Sequence, residues 1–426
     1  MLRIGYTCLT MALLGIGLLL AGCGGGGDSL VFIPSSGFAL LGMNNGTTGF
    51  EPYIFKDGTA TLLKDINPGV GDSGPSGFTE FNGKYYFGAD DGTHGYELWV
   101  TDGTSAGTKL FMDINPGVNG SGVEVLTVFN GKLYFGADDG INGRELWVSD
   151  GTVSGTKLFM DINPGTNGSY PSWLTVFNGK LYFSADDGIH GEELWVSDGT
   201  TARTTLFKDI NTAGVASSSA PIYLTVSNGT LYFGADDGIN GRELWVSDGT
   251  FSGTKLFMDI NPGAADSDPR EFKAFNGKLY FQADDGTHGL ELWVSDGTAA
   301  GTKLFMDINP LGDSKAYGFT EFNGKLFFEA NDGTHGLELW ISDGTVTGTT
   351  MLKDIYPGND LTLSDPLSLT ALGPHGYAYQ SGTFRSFVFV ATDVDHGREL
   401  WSSDGTAAGT KLLLDLNPGP GDGFRY

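Results

Sequence analysis

The sequence predicts an all-β chain: a β-propeller of four-stranded antiparallel blades, eight by count, with seven as the alternative. Three observations carry this. The octapeptide Glu-Leu-Trp-Val-Ser-Asp-Gly-Thr stands intact at 145–152, 193–200, 243–250 and 291–298, with variants at 97–104, 338–345 and 399–406. A worn copy over 51–59 puts Tyr53 where the others have Trp. Trp99, Trp147, Trp195, Trp245, Trp293, Trp340 and Trp401 follow one another at 48, 48, 50, 48, 47 and 61 residues, a period proper to repeat architectures. The 68 glycines punctuate short runs of Phe, Tyr, Val and Leu, and no segment past the N-terminal region has helical periodicity.

The best-preserved unit shows what a repeat builds. Leu174 to Phe177 is a short β-prone run, and Asn178-Gly179 is a hairpin signal because a type I′ turn needs positive φ at both positions. Lys180 to Phe183 is a second strand and the Asp186–Gly191 stretch a second turn. Glu193 to Val196 is a third strand, Asp198-Gly199-Thr200 a third turn, and Thr205 to Lys208 a fourth strand. A longer link follows, usually with Asn-Pro-Gly. Three tight turns and one crossover make a four-stranded meander. The middle strands are apolar on both faces, Leu133 and Phe135 against Tyr134, and Leu146 and Val148 against Trp147. Such strands must be covered on both sides, which the two flanking blades of a propeller achieve. Burying one Trp is worth at most roughly 5 kcal/mol at ~25 cal/mol per Å² over ~200 Å², so the repeated tryptophans read as inter-blade core.

Second-strand copies begin near Phe38, Lys84, Lys132, Lys180, Thr230, Lys278, Lys325 and Ser386, which gives eight blades. In the seven-blade alternative the worn first copy packs outside the ring. Gly423-Phe424-Arg425-Tyr426 reads as an extra first-strand copy in the register of Gly77 to Glu80. It either lends an inner strand to the first blade and clasps the ring, or is a frayed end.

Composition sets the chain's surroundings. Acidic residues outnumber basic ones 51 to 24, a formal charge of −27, which repels nucleic-acid phosphates and anionic lipid headgroups. Nucleic acid is therefore excluded as a partner. Only Cys8 and Cys23 are present, too few for a disulfide framework. Residues 1–22 have the layout of a signal peptide, with Arg3 before an apolar run too short for a membrane span. Leu20-Ala21-Gly22-Cys23 resembles a bacterial lipoprotein lipobox, and that resemblance implies cleavage before Cys23 and lipid attachment to its thiol. Residues 23–29 then form a Gly-rich tether, and 30–426 the single propeller. Gly24 after the lipidated cysteine, by analogy with enterobacterial sorting, implies the outer membrane where the host has one.

The repeat itself resembles the bacterial ELWxxDGT-repeat family over roughly residues 30–422. The departures are Glu51-Pro52-Tyr53 in the first copy and Trp401-Ser402-Ser403 in the last, and these copies are expected to pack less regularly. The resemblance implies an exported propeller of tandem repeats and no general catalytic role.

Asp90, Asp91, Asp138, Asp139, Asp186, Asp187, Asp236, Asp237, Asp284 and Asp285 form Asp-Asp-Gly loops on the face shared with the links. A ring of carboxylates is a candidate Ca²⁺ site, but Asp before Gly is also ordinary turn chemistry, and no loop matches an EF-hand. His94, His190, His288, His335 and His396 share one repeat position with Asn142 and Asn240, each before Gly. A left-handed backbone requirement accounts for that alternation. The glutamates before Leu-Trp recur in seven blades, which marks a structural rule rather than a unique catalytic constellation. Pairing with Arg144, Arg242 or Arg398, or capping of a turn, is the expected use.

Asymmetry is where specific contacts are expected. The stretch 374–385 replaces a two-residue hairpin, and His375, Tyr377, Tyr379 and Arg385 give it a binding-loop composition. Trp173 and Tyr223 are irregular aromatics at the starts of inner strands and are expected at the channel mouth. The expectation is thus a monomeric, lipid-anchored propeller of the cell envelope that binds or scaffolds a protein or glycan ligand. The alternative is an extracellular polysaccharide hydrolase or lyase with its site at the channel.

Overall fold

The computed structural model describes residues 31–33, 38–56, 58–357, 380–381 and 384–424. Seven antiparallel sheets have four strands each in sequential order, and an eighth sheet shows three strands among the described residues. In the fourth blade these are Ser172–Phe177, Lys180–Asp186, Glu192–Ser197 and Thr205–Lys208. The first strand of each blade lies innermost: Thr127 Oγ1 donates to the carbonyl of Leu174, and Thr175 Oγ1 to that of Leu224 at 2.9 Å, each reaching the next blade's first strand. The propeller expected from the repeat is the fold found.

Alternation along the middle strands builds the core. Leu133, Phe135 and Trp147 pack toward the preceding blade with Leu98, while Tyr134, Leu146 and Val148 pack toward the following blade with Phe183 and Trp195. The same arrangement recurs at every seam, and the tryptophans are about 5–6% exposed. The hairpins between first and second strands turn through Asn at φ near 50° and Gly near 70°, as at Asn178 (49°) and Gly179 (71°), matching the type I′ expectation.

The last copy pairs its third and fourth strands as the regular blades do, contrary to the looser packing expected of it. The first copy is irregular as expected: Tyr53 to Lys56 pair with Leu62 to Thr59 without the bulge that falls between Leu98 and Trp99 in the second blade. Tyr53 is 3% exposed and stands in the tryptophan position of the first blade, packing with Val388, Val390 and Leu400 of the last. Ser403 and Thr410 share a hydroxyl contact at 2.7 Å, as Ser149 and Thr156 do at 2.6 Å in the third blade. The first blade therefore sits within the ring, between the eighth and the second, which favours eight blades over seven.

Gly423 and Phe424 close that last seam, in a register other than the one the sequence suggested. The N–H of Asn44 donates to the Gly423 carbonyl at 2.7 Å, just as that of Asp138 donates to the Ser121 carbonyl in the third blade. Gly423 thus takes the place of the link serine, and the inner strand of the first blade is Val31–Ile33. The spacing is the reason: Gly423 lies six residues after Asn417, as Ser73 lies six after Asn67, whereas the inner-strand position of Gly77 lies ten after it.

Candidate functional site

The link face carries the Asp-Asp-Gly loops, the links and the starts of the inner strands; the Asn-Gly and Ser-Asp-Gly-Thr turns lie on the opposite face. The repeated residues of the link face are taken up by the fold. Glu145 is fully buried and accepts the backbone N–H groups of Ile162 (2.8 Å) and Asn163 (3.2 Å) and the hydroxyl of Ser169 (2.6 Å). Its neighbour Arg144 pairs instead with Glu124 at 2.9 Å, so capping rather than arginine pairing is the use of the glutamate. Burial raises these carboxyls despite the donors, to about 7 at Glu51, Glu243, Glu291 and Glu399 and to about 8 at Glu338. A buried Oδ1 of the aspartate after the fourth strand, as at Asp65 or Asp415, has no partner and adds its charge to the same pockets.

In the Asp-Asp-Gly loops the carboxylates organise the turn. Asp90 accepts the N–H of Gly92, and Asp91 Oδ1 accepts those of Thr93 and His94. Although partial burial opposes the charge, the bonds from Thr93 and His94 hold Asp91 at about 2. Asp138, Asp139, Asp186, Asp187, Asp236, Asp237, Asp284 and Asp285 repeat these contacts. Among the described residues no group of three or more His, Cys, Asp or Glu is placed to hold a metal ion.

The His/Asn alternation has a different cause from the one expected. None of these residues has positive φ; the following glycine does, as Gly95 at 71°. What His and Asn share is a nitrogen at the same reach: His94 Nδ1 lies 2.7 Å from Asp91 Oδ2, and Asn142 Nδ2 donates to Asp139 Oδ2 at 2.8 Å. The hydrogen bond to Asp91 raises the His94 imidazole.

Asymmetry appears on the inner strands. Those of blades two to seven bulge near their starts through one left-handed residue each: Gly77, Val125, Trp173, Tyr223, Glu271 and Gly318, with φ between 54° and 72°. Glycine suits that backbone, whereas a bulky side chain there costs about 1–2 kcal/mol. Blades three to six carry bulky residues, so their sector of the channel mouth differs from that of blades two and seven, which carry glycine. The structure brings Trp173 and Tyr223 together, with ring centroids 4.3 Å apart at 37°. Tyr223 is hydrogen-bonded to Glu271, which also accepts the Gly318 N–H at 3.3 Å. Burial raises both the Tyr223 hydroxyl and the Glu271 carboxyl. Lys273 lies two residues on, its ammonium depressed by burial against the opposing pull of Glu321.

Glu271 and Lys273 were not singled out from the sequence. The signal was there: in the repeat alignment they replace the glycine of Gly77 and the threonine of Thr79. His375, Tyr377 and Tyr379 lie outside the described residues, as does Cys23. Arg385 belongs to a two-residue strand paired with Gln380–Ser381. Among the described residues no helix is long and apolar enough to cross a membrane.

No protein-family model and no curated protein matches the chain. Among solved structures it is similar to oligopeptidase B from Leishmania major, with a TM-score of 0.50 and 11% identity over 82% of this chain and 49% of that one. A prolyl endopeptidase gives 0.48 and 13% over 79% and 49%, and the computationally designed Ika8 protein 0.44 and 18% over 76% and 87%. The chain spans about half the length of the two peptidases it matches. At such identities the likeness is one of fold, and the chain is a β-propeller.

Proposed function

We propose that this propeller is an exported module, anchored by lipid at Cys23, that binds or scaffolds a protein or glycan outside the cytoplasm. The observation that carries the binding reading is the row of bulky left-handed residues at the channel mouth, Val125, Trp173, Tyr223 and Glu271. Backbone strain held in consecutive blades, where glycine serves in others, is a pattern of binding sites. The motif residues, by contrast, are engaged in caps and turns. The lipobox and the ELWxxDGT resemblance support the address.

Fractionation of cells carrying Cys23→Ser tests the anchor: the variant chain is expected in the soluble exported fraction, and its retention in membranes rules the anchor out. Binding of the full Cys23→Ser chain to isolated cell-envelope glycans and surface proteins tests the site. Changing Trp173→Ala with Tyr223→Ala is expected to abolish it, and unchanged binding removes the channel mouth from the proposal.

The enzyme reading, a polysaccharide hydrolase or lyase, has one observation in its favour. Glu271 is a carboxyl kept toward its neutral form beside a hydrogen-bonded tyrosine, a disposition suited to a general acid. Glycan turnover lost on Glu271→Gln is its test.

A further inference from the structure

Six links have a left-handed residue directly after their serine: φ is 55° at Gly74, 58° at Gly122, 50° at Tyr170, 42° at Ala220, 49° at Asp268 and 48° at Lys315. Three residues later comes the left-handed bulge of the inner strand. Among the described residues, only between the third and fourth blades do aromatic side chains occupy both positions, Tyr170 and Trp173. Tyr170 is 61% exposed, although nothing in the fold calls for an aromatic at that site.

These two residues, with Pro171 and Ser172 between them, border a cavity of about 230 Å³ whose other wall is Glu124 and Arg144 of the third blade. Arg144 Nη2 donates to Glu124 Oε2 at 2.9 Å. Gly136 makes room for the guanidinium, since a Cβ there would come within 3.2 Å of Nε. The volume falls below the ~300–1,000 Å³ of sites for drug-sized ligands and suits one small ring.

We propose that this cavity is a carbohydrate subsite for one neutral pyranose ring. It rests on the binding reading above and names the ligand class. Tyr170 offers an exposed flat face to the C–H side of a sugar, beside the part of the Trp173 ring that lines the cavity and is not taken up by its contact with Tyr223. Arg144 supplies donors and Glu124 acceptors, and neighbouring hydroxyls, each able to donate and accept, engage both without separating the pair. Because that pair is already neutral, the cavity holds no charge to match an ionic ligand. The formal charge of −27 further disfavours acidic sugars.

The test is calorimetric titration of the full Cys23→Ser chain with neutral mono- to tetrasaccharides of glucose, galactose, mannose and N-acetylglucosamine. Uronic-acid oligomers and short peptides serve as comparisons. At least one neutral series is expected to bind, uronic acids to bind at least tenfold more weakly, and Tyr170→Gly to lose at least tenfold in affinity. The melting temperature of that variant is expected to hold or rise, because glycine occupies the same backbone state at Gly74 and Gly122. Absence of binding by every neutral sugar, or a Tyr170→Gly chain that binds as the parent does, overturns the proposal. Tyr170-dependent binding of peptides alone also overturns the sugar assignment, while leaving the binding reading intact.

Discussion

Ser121 donates its hydroxyl to Oε2 of Glu97 at 2.6 Å, and the same oxygen accepts the N–H of Ile114 at 2.9 Å. One carboxylate thereby fastens the third strand of a blade to the link that leads into the next. Replacing the equivalent Glu145 by Leu strands two backbone donors and the Ser169 hydroxyl in a buried site, at about 1–3 kcal/mol for each. A loss of about 3–5 kcal/mol is expected in denaturant unfolding, against about 1–2 for Glu145→Gln, which keeps one acceptor. A Glu145→Leu midpoint within error of the parent would falsify the capping role.

Stability should be greatest in mild acid. The buried glutamates are raised from 4.5 to about 7 or 8, so the folded chain binds protons there more tightly than the unfolded one. Their contribution is complete below pH 4.5 and is lost as pH climbs through 7 to 8. His94, His190, His288 and His396, raised by their aspartates, lose theirs as pH rises above 6.5. Asp91 and Asp332, lowered to about 2, lose theirs only as pH falls from 3.8 toward 2. The melting temperature should therefore be higher at pH 5 than at pH 8, and a scan with the opposite order would contradict the burial of these carboxyls.

His94→Asn should be close to neutral, within about 0.5 kcal/mol, since Asn142 and Asn240 make the same contact in their own blades. His94→Ala removes the partner of Asp91 Oδ2 and should cost about 0.5–1.5 kcal/mol. Equal effects from the two substitutions would show that the side-chain bond contributes nothing.

Lys315 is exposed and held at φ 48°, in the register of Gly74 and Gly122. Lys315→Gly removes a left-handed cost of about 1–2 kcal/mol and adds about 0.5–1 of chain entropy. A gain of about 0.5–1 kcal/mol is expected; a destabilised variant would mean that the lysine makes a contact worth more than its strain.

Calcium should leave the melting temperature unchanged. The carboxylate oxygens of the Asp-Asp-Gly loops are directed at their own backbone donors, as Asp139 is at Ile141 and Asn142. At saturation a bound ion would raise stability by several kcal/mol, a shift that calorimetry with and without chelator would reveal.

The repeat made most of this fold readable in advance. Period, Asn-Gly turns and two-sided apolar strands each depend on residues near in sequence, and they led to the blade and its core. The same repetition concealed the rest. The acceptor for Ser169 lies 24 residues away at Glu145, and the partner of Trp173 lies on the next blade at Tyr223. The role of His94 was misread because its donor nitrogen, rather than its backbone, is what Asn can replace. Tyr170 went unremarked because it stands among link residues that look like ordinary turn chemistry; only φ shows that it occupies a glycine's place.

The seam sealed by Phe424 against Met43, Tyr53 and Val390 has a thermodynamic meaning. An open stack of repeats has two outermost members, each covered on one side, which melt first and need special caps. Here every blade has two neighbours, so disrupting any one uncovers both adjoining cores. Amide exchange should accordingly show no gradient from one blade to the next, only a common slow opening of the whole circle.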